Sequence, residues 1–358
     1  MATLSLCMIV KNESEVLARA LGNARMYADE IIIADTGSSD NTVEIAKKYA
    51  DAVYDFEWAD DFSAARNFVA SKATGDYWMW LDADDIVPDD AAAAIGRLMR
   101  KLSPSVDIVM LPYVLGLDER GKPLYSYYRE RIIKNRNGYF WSGRVHEAIA
   151  LRGKVIRAAP SVLHAKPSTR RTGSRNLDIY KSMIAEGVEL CPRERYYYAR
   201  ELFFNDEIGA AAGEFKRFLE EPNGLAANKT DACLMLSRCY GRLGDKRRAF
   251  GALFDSFMYG LPTGEACCEI ALLFFAGNDY KCAAYWFERA AAAKPDISTG
   301  AFVDHDYYGF IPYVWLAVCY DRLGNTRRAY RYHCRARKLR PNHPSVIYNQ
   351  TYFEKLGY

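Results

Sequence analysis

Three short apolar runs near the start of the chain, at Leu4–Val10, 31–34 and Tyr77–Leu81, each break directly into a polar, acid-rich stretch. A run with no polar alternation suits a strand buried on both faces, the usual state in a parallel sheet. Between the runs, residues 13–24, 41–49 and 62–73 carry helix-like spacing, so strand and helix alternate. That order predicts an α/β layered domain around a mainly parallel sheet. Ligands of such sheets collect beyond the carboxyl ends of the strands. Residues 11–13, 35–40 and 82–85 are therefore the places to look, and all three are polar and acid-rich.

From about Arg175 the texture changes, and Tyr, Ala and Leu recur at helical spacing. YGRLGDKRRAF at 240–250 returns as YDRLGNTRRAY at 320–330, with a weaker copy, FAGNDYKCAAYWFERA, at 275–290. The step from Gly244 to Gly277 is 33 residues, close to the tetratricopeptide period of ~34. The 47-residue step from Gly277 to Gly324 implies an insertion around 297–310. Pro262, Pro295 and Pro341 close the units where a second helix must stop. The expectation is an α/β domain over 1–172, followed by an all-α tetratricopeptide-like helical repeat domain over 173–358.

A length of 358 residues leaves room for both cores. The charge of +3, from 48 basic and 45 acidic side chains, gives no reason to expect a nucleic-acid partner. The longest early apolar run falls far below the ~18 residues of a membrane span and carries no cleavage-type sequence, which points to a cytoplasmic protein. The nine cysteines lack metal-type spacing and read as buried thiols rather than a disulfide framework. The basic strings at 246–248, 327–328 and 335–338 read as solvated helix faces, with a binding groove as the alternative.

The densest chemistry is WMWLDADD at 78–85, where an apolar strand ends in three carboxylates within four positions. Clustered acids repel one another unless a cation is present. At a strand end, Asp82 and Asp84 can face one cleft and offer hard oxygen ligands to Mg²⁺ or Mn²⁺. The plainer alternative is that they cap the helix beginning near Pro88 and Asp89, but a cap does not need three acids.

SLCMIVKNE at 5–13, DTGSSDNT at 35–42, DFSAARN at 61–67 and LDADD at 81–85, in this order, resemble the signature segments of family 2 glycosyltransferases with the GT-A fold. The resemblance implies a nucleotide-sugar donor, a divalent metal and inversion at the anomeric carbon. It places Asn12 and Glu13 beside the nucleotide, and Asp35 where a carboxylate accepts a hydrogen bond from the base. Uracil offers such an N–H, which makes a UDP-sugar the expected donor. Thr36 stands where many relatives have a second Asp. Asp40 and Thr42 serve either the ligand or the start of the next helix. Arg66 and Asn67 match a polar pair near the donor, with Arg66 able to neutralise phosphate charge. Asp82 and Asp84 match the DxD pair, Asp84 for direct metal contact and Asp82 for ribose or a metal-bound water.

An inverting displacement also needs a base for the acceptor and a cation for the departing diphosphate. FWSGRVHEAI at 140–149 sets His146 beside Glu147, the candidate base, and VLHAK at 162–166 puts His164 at another strand end. His164 is the expected third metal ligand, because imidazole with two carboxylates suits Mn²⁺. His146 would orient Glu147 or contact the acceptor. Trp58, Trp80 and Trp141 could stack on a sugar, with core packing the plainer role for Trp80.

DFSAARN, GRVHE and an attached repeat domain resemble, more narrowly, the glycosyltransferases that modify cysteine side chains of bacteriocin peptides. That likeness implies a peptide or protein acceptor, with Cys or Ser as nucleophile, contacting the repeat domain. A cell-envelope glycan or lipid-linked acceptor is a second expectation, and a non-catalytic repeat scaffold with a decayed transferase domain a third. A nucleotidyltransferase would bring a glycine-rich phosphate loop, and MIVKNESE has no glycine. The helical repeats and Tyr-rich C-terminus also offer a surface for a homodimer.

Overall fold

The apolar runs become strands that feed two cores at once. In a computed structural model, which describes residues 1–165, 173–297, 300 and 302–358, β1 (Leu4–Val10) sends Leu6 and Met8 to one core and Cys7 to the other. β2 (Glu30–Asp35) divides Ile31 and Ile33 from Ile32 and Ala34 in the same way. After β3 (Ala52–Asp55), β4 (Tyr77–Leu81) opposes Met79 and Leu81 to Trp78 and Trp80. Period-two alternation is thus present, with apolar residues on both faces.

The chain divides into two compact units, Met1–Gly116 with Tyr127–Val188, and Leu117–Ser126 with Glu189–Tyr358. The boundary expected at 172 and 173 falls at the edge of 166–172, outside the described residues.

In the first unit β1 runs parallel to both β2 and β4, and β2 parallel to β3. The sheet continues with β5 (Asp85–Ile86), β6 (Ile108–Leu117), β7 (Pro123–Lys134), β10 (Val155–Arg157) and β11 (Val162–His164), while β8 (Trp141–Ser142) and β9 (Ala148–Ile149) form a separate ribbon. Its order is β3-β2-β1-β4-β7-β6-β11-β5, with β7 antiparallel to β4 and β5 antiparallel to β11. This is the expected α/β layered class with a mostly parallel sheet.

Helix α1 (Leu17–Leu21) is shorter than the expected 13–24, because Asn12 is left-handed (φ 54°) and the Glu13 carbonyl closes a turn on the amides of Val16 and Leu17. Helices α2 (Thr42–Tyr49), α3 (Phe62–Ser71) and α4 (Asp89–Lys101) start within a residue of expectation. Asp61 caps α3, accepting from the Ala64 amide at 2.9 Å. Helix α5 (Arg175–Ala185) belongs to this first unit.

Among its described residues the second unit holds four helix pairs: α6 (Pro192–Phe204) with α7 (Ile208–Glu220), α8 (Ala226–Arg242) with α9 (Lys246–Asp255), α10 (Gly264–Ala276) with α11 (Tyr280–Ala292), and α12 (Phe310–Arg322) with α13 (Thr326–Leu339). Helix α14 (Pro344–Lys355) follows. Each pair is joined through one left-handed residue: Asp206, Gly244, Asn278 and Gly324, at φ of 69°, 80°, 61° and 76°. The structural equivalent of Gly244 is therefore Asn278 rather than Gly277, which makes that step 34 residues. Asp245, Asp279 and Asn325 then cap the second helices by accepting from the amides of Arg248, Cys282 and Arg328. The insertion expected near 297–310 contains a short strand, β12 (Val303–Asp304), paired with Tyr125 and Ser126; residues 298, 299 and 301 lie outside the described set. Among the described residues, no helix is long and apolar enough to cross a membrane.

Candidate active site at the carboxyl ends of the strands

The end of β2 and the loop after β1 are tied together by their own polar side chains. Asp35 is buried, and its carboxylate accepts from the Gly37 and Ser38 amides at 3.0 and 2.9 Å and from the Ser38 hydroxyl. Asn12 accepts from the Ser39 amide at 2.8 Å and donates its own amide to Ser38 Oγ at 2.9 Å. The Glu13 amide donates to Thr42 Oγ1 at 2.7 Å. Asp40 spans the two loops, accepting from the Ser14 amide and from both Thr42 donors. Burial works against its ionisation, but these hydrogen bonds from Ser14 and Thr42 prevail and hold its carboxyl at about 2. Asn12, Glu13 and Asp35 thus line one corner, with Asp40 and Thr42 as its fastening.

Beyond β4, Arg66 on α3 lies buried between Trp80 and Trp141, its guanidinium 4.8 and 5.1 Å from their ring centres. Its Nε donates to Glu147 Oε1 at 2.5 Å and its Nη2 to Asp82 Oδ1 at 2.6 Å. One guanidinium therefore brings together the expected base and the first DxD carboxylate. Burial alone would raise the Asp82 carboxyl, but the cations of Arg66, Arg131 and Arg129 bring it down to about 2.

Asn67 is committed elsewhere, since its amide donates to the Trp141 carbonyl at 2.9 Å and accepts from the Trp141 amide at 2.8 Å. Trp80 and Trp141 are core residues, whereas Trp58 is half-buried and donates to Asp60 at 2.8 Å. His146, in the turn between β8 and β9, has φ 52° and its ring stacks on Tyr180 at 6.4 Å. A non-glycine residue in that region is strained and is held there by its surroundings.

The third corner joins Asp84 and Asp85 to His164 at the end of β11. His164 Nδ1 lies 3.4 Å from Asp84 Oδ1 and 3.5 Å from Asp85 Oδ1, and it is buried with no hydrogen-bond partner. One ligand-type atom from each of these residues lies within 4.8 Å of the others. An orphaned imidazole nitrogen facing two carboxylates fits a divalent cation, and the O/N donor set suits Mn²⁺ or Mg²⁺. Burial, with Asp82 and Asp85 nearby, raises the Asp84 carboxyl despite His164. Burial lowers the His164 ring, but the negative charge of Asp85, Asp84 and Asp82 beside it leaves it raised.

Asp85 enters the sequence reading only as one of three clustered acids, and Tyr113 and Arg131 not at all, yet they sit directly behind this corner. Asp85 is fully buried and bonded by Arg131 Nη1 at 2.9 Å, the Tyr113 hydroxyl at 2.8 Å and the Asp82 amide at 3.1 Å. A buried acid needs a buried cation, and RER at 129–131 within an apolar strand is the signal that could have found it.

Residues 5–157 match the family model described as glycosyl transferase family 2. The chain is 49% identical over 85 residues to a TPR repeat-containing protein of Synechococcus elongatus, covering 24% of this chain and 21% of that one. It is 27% identical over 259 residues to the SPbeta prophage-derived glycosyltransferase SunS of Bacillus subtilis, covering 66% of this chain and 59% of that one. It is 25% identical over 203 residues to the lipopolysaccharide core biosynthesis glycosyltransferase LpsC of Rhizobium meliloti, covering 54% and 75%. The chain thus spans 21% and 59% of the lengths of the first two relatives. With the sheet, the DxD corner and the helix pairs already in place, residues 5–157 match glycosyl transferase family 2, in a chain that continues into repeated helix pairs.

Proposed function

We propose that this protein is an inverting, metal-dependent glycosyltransferase that moves a hexose from a UDP-sugar to a Cys or Ser side chain of a peptide or protein, in the cytoplasm. The observation that carries the reading is the junction of Asp84 and His164 with the Arg66 bridge between Asp82 and Glu147. Asp84 and His164 would hold Mn²⁺ or Mg²⁺, which would supply positive charge to offset that of the diphosphate. Asp35 receives the uracil imide beside Asn12 and Glu13, and Asp82 takes the ribose or a metal-bound water. Arg66 adds positive charge near the phosphates. Asn67, beside Arg66 near the donor, is fixed by its bonds to the Trp141 backbone.

The acceptor's proton passes to Glu147 as its sulfur or oxygen attacks the anomeric carbon and the bond to the diphosphate breaks. Arg66 occupies Oε1 of Glu147, which leaves Oε2 for that proton, and His146 flanks the acceptor. A thiol ionises close to neutral pH, so it asks less of this base than a hydroxyl does. Donor chemistry belongs to residues 1–172, and the repeats over 173–358 present the acceptor.

The test is release of UDP from UDP-sugars with Mn²⁺ and a Cys- or Ser-containing peptide, abolished by Asp84→Ala. Absence of UDP binding in calorimetry would sink the reading. Transfer to a cell-envelope glycan is a second reading, favoured by the likeness to LpsC. Sugar incorporated into a glycan but never into peptide decides for it.

A further inference from the structure

Arg131 and Asp85 form an ion pair in which both side chains are fully buried, at 2.9 Å. The Arg131 guanidinium lies between two rings, 3.8 Å from the centre of Trp80 and 4.4 Å from that of Tyr113, and donates a further bond to the Trp80 carbonyl at 3.1 Å. Its Nε and Nη2 have no hydrogen-bond partner although they are buried. Leaving two such N–H groups unsatisfied is costly, and replacing a buried pair with apolar groups is often neutral or stabilising. Stability therefore does not explain this arrangement, but its location does. Asp85 Oδ2 holds the Asp82 amide, which sets the turn carrying Asp84, while Oδ1 faces the orphaned Nδ1 of His164.

We propose that Asp85, clamped by Arg131 and the Tyr113 hydroxyl, is a positioning residue for the divalent-cation site of Asp84 and His164. This rests on the metal-dependent reading above. Asp85 already accepts from three donors, which favours its orienting the ligands over replacing them. Groups behind metal ligands typically change metal affinity by ~10–100-fold when removed. Tyr113→Phe deletes one hydrogen bond to Asp85 and keeps the ring that packs against Tyr127 and Arg131.

Mn²⁺ affinity is measured by calorimetry and by electron paramagnetic resonance of bound Mn²⁺, alongside UDP affinity in EDTA and the thermal midpoint. Tyr113→Phe is expected to weaken Mn²⁺ binding by about 10-fold and to alter the resonance line shape, with metal-free UDP affinity unchanged. The double variant Asp85→Asn/Arg131→Met removes the pair as a pair, keeps the fold, and loses Mn²⁺ affinity further. Unchanged Mn²⁺ affinity in folded Tyr113→Phe, with only a lower midpoint, overturns this inference alone. Failure of the wild-type protein to bind Mn²⁺ overturns the metal-dependent reading as well.

Discussion

Replacing Arg66 by Met tests whether the site is held by charge. The side chain is only 8% exposed and serves Asp82, at 36% exposure, and Glu147, at 11%. Removing one partner of a fully buried pair costs about 3–5 kcal/mol. Asp82 is too wet for that figure. Its carboxyl is brought from 3.8 to about 2, equivalent to about 2 kcal/mol before screening and about 1 after it. The drier bond to Glu147, a charge-assisted contact, adds about 1.5 kcal/mol. Arg66→Met is therefore expected to lower stability by about 2–3 kcal/mol at pH 7. Because the Asp82 carboxyl is depressed, its contribution is present above the unfolded value near 4 and is lost as pH falls toward 2. The gap between wild type and variant should accordingly narrow by about half a kcal/mol between pH 7 and pH 3. Urea unfolding followed by tryptophan emission reads both, since Trp80 and Trp141 flank the guanidinium. A gap of equal size at the two pH values would mean that Arg66 acts by packing between the rings, and the charge reasoning would fail.

The repeat turns offer a second set of tests. Gly244→Ala and Gly324→Ala force a Cβ into left-handed backbone and should each lower stability by about 1 kcal/mol, whereas Asn278→Gly should be near neutral, all read as thermal midpoints. Asp245→Ala and Asn325→Ala remove caps in different turns, and about 1 kcal/mol each should add in the double variant. For the acceptor, Glu147→Gln should slow transfer to Ser peptides far more than to Cys peptides, and equal losses in a turnover assay would remove Glu147 as the base.

The parallel core was legible because β1, β2 and β4 are apolar on both faces, a pattern that few other structures produce. Left-handed linkers were half legible. Glycine marks such a position, but Asn and Asp adopt it too, which hid Asp206 and put the third unit one residue out of register at Gly277. The β6–β7 pair was missed because Pro112 and Gly116 interrupt one strand and Arg129, Glu130 and Arg131 interrupt the other. A strand that turns charge inward violates the hydrophobic pattern by which strands are recognised. For the same reason Asp85 was read only as one of three acids, when its partners lie 28 and 46 residues away. The pairing of Asn67 with the Trp141 backbone was not legible, because an amide that mimics a strand neighbour looks in sequence like any other polar residue.

What separates the acids of this site is how fully each is already satisfied. Asp40 and Asp35 are occupied by loop amides, Asp85 by three donors, and Asp82 and Glu147 share Arg66. Asp84 is opposed by the His164 ring at 3.4 Å, and its carboxyl is raised by burial and by the negative charge of Asp82 and Asp85. A carboxyl raised in the folded state destabilises the fold wherever it is ionised, so at neutral pH Asp84 works against stability until a cation arrives. Function and stability conflict at this one side chain. Asp84→Asn removes the charge and nearly keeps the shape, so in EDTA at pH 7 it should raise the thermal midpoint of the wild type. Added Mn²⁺ should then stabilise the wild type, as any ligand of the folded state must, and leave Asp84→Asn unmoved. If the variant melts below the wild type in EDTA, or still responds to Mn²⁺, Asp84 is not the carboxylate that waits for the metal.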